Sequence, residues 1–260
     1  MMRTLTYAAI AAVTMLSATP ASAAATDSAQ TGSSRSVDAR ASKVQLGGVI
    51  NVHVRYGTTP SLTLFGEKDD LARISVRQNG DTLSIDTTGR NWSFGPSRQR
   101  ELRAELVLPT LTEFTSQGVG STIIDGYTGT QLRVTLGGAG AMMVSGHYKT
   151  VTATLGGVGN LMLDAGEAER IELNLHGAGH IEVKGQSALL KANLSGVGGL
   201  EARELRAAAV QLDLSGLGGA SVFASTSADV NLSGLGSATV YGKPATRHAN
   251  ARGLGSIAWQ

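Results

Sequence analysis

An all-β, single-chain β-helix, a solenoid with coils of about 19–20 residues, is the fold class this sequence predicts, and three observations carry it. Gly-x-Gly recurs at Gly118/Gly120, Gly138/Gly140, Gly157/Gly159, Gly177/Gly179, Gly196/Gly198, Gly216/Gly218, Gly234/Gly236 and Gly253/Gly255, at intervals of 20, 19, 20, 19, 20, 18 and 19 residues. Apolar residues stand two apart on both sides of the motif, as in Leu161/Leu163, Ile181/Val183, Ala220/Val222, Ala238/Val240 and Ile257/Trp259. That is strand spacing, and it implies two short half-buried strands per repeat joined at a glycine corner. No part of the chain holds a convincing helical period.

Taken in chain order, residues 1–23 read as a secretory signal peptide: Arg3, an apolar run from Leu5 to Leu16, and the small-residue exit Ala21-Ser22-Ala23. The run is shorter than the ~20 residues a membrane-spanning helix needs, and no later run approaches that length. The expectation is therefore export to the periplasm, cell surface or medium, with no membrane span. A lipid anchor at the cleavage site would need a cysteine, and the chain has none.

Residues 24–42, rich in Ala, Ser and Thr, read as a flexible linker. Residues 43–110 read as a β-rich N-terminal portion, continuous with the solenoid or capping it. There Val44/Leu46, Val52/Val54 and Leu62/Leu64 alternate with polar residues, and Ile74-Ser-Val76 is joined to Leu83-Ser-Ile85 across Asn79-Gly80, a type I′ hairpin signal. Leu102, Ala104, Leu106 and Leu108 then alternate up to Pro109. Between these strands lies a loop carrying Arg90, Trp92, Phe94, Arg98 and Arg100, a candidate recognition loop whose aromatics could stack on sugar rings between cations. The competing reading folds the two aromatics back as a lid over apolar coil surface, and Trp259 invites the same capping role at the other end.

Residues 111–260 form the Gly-x-Gly repeat. Two residues before the first glycine stands leucine in six copies (Leu136, Leu155, Leu175, Leu194, Leu214 and Leu232). One residue further back stands a small polar side chain every time: Thr115, Thr135, Thr154, Asn174, Asn193, Asp213, Asn231 and Asn250. Stacked coil on coil at about 4.8 Å, such a row can hydrogen-bond along the rod. Between the two glycines the residue is apolar in every copy: Val119, Ala139, Val158, Ala178, Val197, Leu217, Leu235 and Leu254. Seven intervals give a rod on the order of 34 Å long. The sixteen glycines read as structural turn residues, paired at the coil corners, where positive φ or close backbone stacking penalises a side chain.

Composition narrows the function classes. Glycine is 34 of 260 residues, yet 42% of the chain is hydrophobic, enough for a folded core. The formal charge is +2, falling to about +1 without Arg3, and neither sign forms a long run. Nucleic acid is therefore not an expected partner. Without cysteine, disulfides and thiol chemistry are excluded.

No Gly-x-Gly continues as a dinucleotide-binding Gly-x-Gly-x-x-Gly or opens a helix. The calcium-binding nonapeptide pattern fails at Met142 and Leu161, where an aspartate is required. His176 and His180, with Glu182 beyond them, flank one corner but lack a clear third ligand and read as solvated histidines. There is no Gly-x-Ser-x-Gly. No catalytic, metal or cofactor-binding residue is assigned.

The reading is a non-enzymatic, adhesion-like or scaffold module acting through its outer faces, with a glycan or an envelope protein as candidate partner classes and homo-oligomers compatible with it. The alternative is a carbohydrate-active enzyme using carboxylates among Glu167, Glu169, Glu172, Glu182, Glu201 and Glu204.

The succession Phe65-Gly-Glu-Lys-Asp-Asp-Leu71, Asn79-Gly-Asp-Thr-Leu-Ser-Ile85 and Leu106-Val-Leu-Pro-Thr-Leu111, followed by Leu-Ser-Gly-x-Gly at Leu194, Leu214 and Leu232, resembles the head GIN domain family of autotransporter-adhesin heads. The resemblance covers roughly Ser36 to Gln260. It implies an all-β, β-helical domain of the bacterial periplasm or cell surface, without an established biochemical activity.

Overall fold

Residues 31–87 and 102–260 are described by the structure, a computed structural model. The leader 1–23 and the loop with Arg90, Trp92, Phe94, Arg98 and Arg100 lie outside the described residues. The N-terminal portion contains β1 (Thr31–Arg35), β2 (Lys43–Leu46), β3 (Asn51–Tyr56), β4 (Ser61–Gly66), the single helical turn α1 (Lys68–Leu71), β5 (Ile74–Asn79), β6 (Thr82–Thr87), β7 (Arg103–Leu108) and β8 (Glu113–Ser116). The solenoid continues through β9 (Val119–Leu136), β10 (Ala139–Leu155), β11 (Val158–Leu175), β12 (Ala178–Leu194), β13 (Val197–Leu214), β14 (Leu217–Leu232), β15 (Leu235–Tyr241), β16 (Thr246–Ala251) and β17 (Ser256–Trp259).

From β9 to β15 every strand pairs in parallel with the next, and equivalent residues stack. The leucine row Leu136, Leu155, Leu175, Leu194, Leu214 and Leu232 is buried, as is the row Met142, Leu161, Ile181, Leu200, Ala220 and Ala238 across the corner. These ladders form the core, and apolar burial along them is the main stabilising term. The chain does not break into two short strands per repeat; each of β9 to β14 runs for 16 to 18 residues from one Gly-x-Gly to the next. Spacing alone hides the bend that lies within each long strand. The pairing of β11 with β12 shifts between Asp164 and Glu167, and that of β12 with β13 between Glu182 and Gly185. Gly126, Gly166 and Gly185 take positive φ at this second bend. Unequal coil lengths are absorbed here, so the Gly-x-Gly corners stay in register.

The polar row also stacks. Asn193 Nδ2 donates to Asn174 Oδ1 at 3.0 Å, and Asn231 Nδ2 donates to Asp213 Oδ1 at 3.0 Å. At the far end, Trp259 is half-buried against the core beneath the Arg247 guanidinium, 5.2 Å from the ring centre.

The N-terminal portion is both continuous with the solenoid and its cap. β2 lies between β6 and β8, and β3 lies between β7 and β9, all in parallel. The β2–β3 coil is thus inserted between two coils that come later in the chain. Antiparallel strands β1, β4 and β5 then close this end, with β4 on β7 and β5 on β6.

Two local expectations change. The segment read as a linker, 24–42, includes β1, which pairs with β4, and Ala41, which is fully buried. Short polar strands carry no apolar period of their own, so only the pairing partner reveals them. In the β5–β6 hairpin Asn79 pairs with Thr82, so Gly80 and Asp81 form the turn. Gly80 has φ of 60° while Asp81 is not left-handed, the type II′ pattern and not type I′.

Candidate functional site

The corner explains why glycine recurs, and it divides the sixteen motif glycines into two kinds. The first of each pair, Gly118, Gly138, Gly157, Gly177, Gly196, Gly216, Gly234 and Gly253, sits at the bend between strands. The second is not a turn residue. Gly120, Gly140, Gly159, Gly179, Gly198, Gly218 and Gly236 are each the second residue of the strand that leaves the corner, and Gly255 comes just before β17. Seven of these eight pair as strand residues with the coils beside them, so expecting a turn there is corrected to a glycine ladder inside the sheet. The expectation of positive φ also holds only in part: Gly120, Gly140 and Gly159 have it, at 142–145°, whereas Gly236 and Gly255 do not.

What all sixteen share is closeness of stacking. The amide between the two glycines donates to the first-glycine carbonyl of the preceding coil, as from Val158 to Gly138 at 2.9 Å and from Leu217 to Gly196 at 3.0 Å. A Cβ on any of the sixteen would fall on a backbone carbonyl oxygen of the coil below, that of Gly218 for Gly236 and that of Gly236 for Gly255. Gly218 adds a φ of 147°, which L side chains rarely adopt.

Gly199 and Gly219 differ. They follow the motif and sit in the outward row Asn160, His180, Gly199, Gly219, Ser237. Neither takes positive φ. A Cβ on Gly219 would find nothing nearer than 3.5 Å, and one on Gly199 would meet its nearest neighbour at 3.1 Å, against about 2 Å at the corners. The two missing side chains leave a trough of about 550 Å³ on the outer face. Its rim carries the amide of Asn160, the imidazole of His180, the carboxylate of Glu201 and the hydroxyls of Ser221, Ser237 and Thr239. Strands β11 to β15 set these positions, because each is the outward residue of a buried-exposed alternation. A polar rim around a backbone floor suits a neutral, polyhydroxylated ligand, which offers donors and acceptors together.

A second hollow of about 270 Å³ adjoins it, lined by Glu182, Val183, Glu201, Arg203, Glu204 and Tyr241, with Arg203 stacked 4.6 Å from the Tyr241 ring centre. Glu182 and Glu201 are paired neighbours on β12 and β13.

His176 and His180 both project outward on either side of their corner. His176 Nδ1 meets Ser195 Oγ at 2.8 Å, while His180 belongs to the trough. Among the described residues no group of three or more His, Asp or Glu side chains is arranged to hold a metal ion. Glu169 pairs with Lys149 at 3.2 Å and Glu172 accepts from Arg170 Nε at 2.8 Å, as surface ion pairs do, and Glu167 is exposed. The trough has no counterpart among the sequence expectations. Its visible trace is the extra glycine in Leu-Ser-Gly-x-Gly-Gly at 194–199 and 214–219. Equally unexpected is the contact of His53 Nε2 with Asp125 Oδ2, which joins the β3 coil to β9.

Residues 40–244 match the family described as "Putative auto-transporter adhesin, head GIN domain". No curated protein matches the chain. Among solved structures, a putative lipid binding protein from Parabacteroides distasonis ATCC 8503 aligns with a TM-score of 0.74 at 19% identity, covering 88% of this chain and 96% of that one. A putative adhesin from Parabacteroides merdae ATCC 43184 gives 0.72 at 15% identity, covering 90% and 97%. One from Bacteroides fragilis NCTC 9343 gives 0.62 at 21%, covering 89% and 97%. At such identities the likeness shows the fold alone.

Proposed function

We propose, since the chain belongs to the head GIN domain family, that it is an exported, non-enzymatic, adhesion-like binding module that takes a glycan in the trough floored by Gly199 and Gly219. The leader pattern of residues 1–23 supports export to the periplasm or cell surface. The observation that carries the ligand class is the pair of glycines outside the corner motif, ringed by six hydrogen-bonding side chains. Parallel ladders on both sides hold the rim rigid, so little ordering cost opposes binding.

The test is a glycan array with the purified protein and a Gly219→Leu variant, whose side chain fills the trough. The expected result is binding of at least one glycan class, weakened at least about tenfold, ~1.4 kcal/mol, by the filled trough. An unchanged melting temperature is the accompanying control. Equal binding by both proteins, or binding by neither, overturns the reading.

A second reading rests on Glu182 and Glu201, whose backbones are one strand spacing apart, ~4.8 Å. Retaining glycosidases hold their carboxyl groups ~5–5.5 Å apart. Release of reducing ends from a bound polysaccharide, abolished in Glu201→Gln, would establish this enzyme and remove the binding-only module.

A further inference from the structure

The residue between the motif glycines does not serve the core. Val119, Val158, Val197, Leu217 and Leu235 are 49–61% exposed, Ala178 is exposed and Ala139 is half-buried. Adjacent members pair in register from Val119 to Leu235, so they form one straight aliphatic row, about 29 Å long over six coil steps. Stacking alone does not call for aliphatic residues, because the Thr/Asn row three residues before the motif stacks equally well with polar ones.

We propose that this row is the interface of a homodimer in which two rods lie side by side and antiparallel. Two features select a second copy as the occupant. Over the seven corners from Gln117 to Ser237, the five residues centred on each row member include no Asp, Glu, Lys or Arg. A neutral strip meets its own copy without like-charge repulsion, and it offers no cations to an anionic lipid surface.

The row also tapers, with alanine and valine toward its start and Leu217 and Leu235 at its end. A twofold axis at Ala178 sets Leu217 opposite Ala139 of the second copy and Leu235 opposite Val119, so large meets small and the two rows stay in contact along their length.

The experiment uses sedimentation equilibrium on the mature protein, the double variant Val158→Lys/Val197→Lys, and two single-cysteine variants, which are clean because the chain has no cysteine of its own. The expected results are a dimer at about 50 µM for the parent protein, a monomer with unaltered melting for the lysine variant, and a disulfide-linked dimer for Ala178→Cys but not for Val119→Cys alone. A parent protein that stays monomeric, a lysine variant that still dimerises, or self-linking by Val119→Cys as readily as by Ala178→Cys overturns the proposal. A monomeric parent that co-sediments with phosphatidylcholine vesicles gives the strip to a lipid surface instead, and overturns it as well. Gly199 and Gly219 lie two residues beyond Val197 and Leu217, so the paired rods cover the edge of the trough and a bound glycan competes with the dimer. Oligomeric state is therefore measured without glycan, and the array at a concentration where the protein is monomeric, so that either reading can fail alone.

Discussion

In the array from β9 to β15 each coil rests on the one just before it in the chain, whereas in the N-terminal portion Val44 is stacked between Leu83 and Phe114. Both regions build the same object, a parallel coil with inward aliphatic ladders. They differ in where the partner comes from. In the array the neighbour is always one repeat away, so the sequence must repeat. In the N-terminal portion the neighbours are distant segments, and nothing forces Val44, Leu83 and Phe114 into a common motif. Long-range pairing of this kind also closes larger loops before it is rewarded, so this region is expected to order more slowly than the array.

The strongest way to break the array is at a corner. Gly218→Val places a branched side chain at φ of 147° and onto the Gly198 carbonyl, with no flexible neighbour to yield. The expected loss exceeds ~3 kcal/mol, visible as a collapsed thermal transition. Gly219→Val, one residue on, should melt close to the parent protein. Equal effects at the two sites would show that the corner does not depend on close backbone stacking.

The matching break in the N-terminal portion is Phe114→Ala. Phe114 is fully buried between Val44 and Val134, so the cavity should cost about 3–5 kcal/mol. Because array coils contact chiefly their neighbours, native-state hydrogen exchange should show lost protection in β2, β3 and β8 while β12 to β14 keep theirs. Uniform loss along the rod would mean that the two regions fold as one cooperative unit.

A smaller effect probes the seam between the regions. Tyr127 Oη donates to the Arg55 carbonyl at 2.9 Å and Tyr148 Oη donates to the Leu111 carbonyl at 2.7 Å. Each Tyr→Phe change should cost about 1 kcal/mol at neutral pH. Burial pushes both phenols well above their ordinary value of 10.0. Above pH 10 the unfolded chain therefore sheds these protons while the folded chain keeps them, and stability falls as pH climbs from 10 toward the folded values. Denaturant midpoints between pH 9 and 12 should fall less steeply in the double phenylalanine variant; parallel slopes would show that the tyrosines do not couple to folding.

The reach of the sequence follows the same divide. The aliphatic ladders and the Thr/Asn row are legible because equivalent residues recur at a constant offset. The second bend is not, because its register shifts wherever coil length changes. The recurrence of glycine at Gly120, Gly140 and Gly159 is legible too, but its place inside the strand is not, since a glycine ladder and a turn leave the same residue in the sequence. Strand β1 escaped because Thr31–Arg35 has no apolar alternation, and the trough escaped because Gly199 and Gly219 look like two more turn glycines. Only the space around a Cβ separates the glycines the backbone demands from those that leave a hollow.

The sequence by itself determined the β-helical coil, its period and its inward rows, because a repeating contact between adjacent coils has to be written as a repeating residue. Tertiary structure alone decided three things: that the β2–β3 coil is inserted out of chain order, that the residue between the glycines faces outward, and that two spare glycines open a trough. Each depends on which segments meet across the solenoid, and a linear pattern carries no information about a neighbour until the chain has folded.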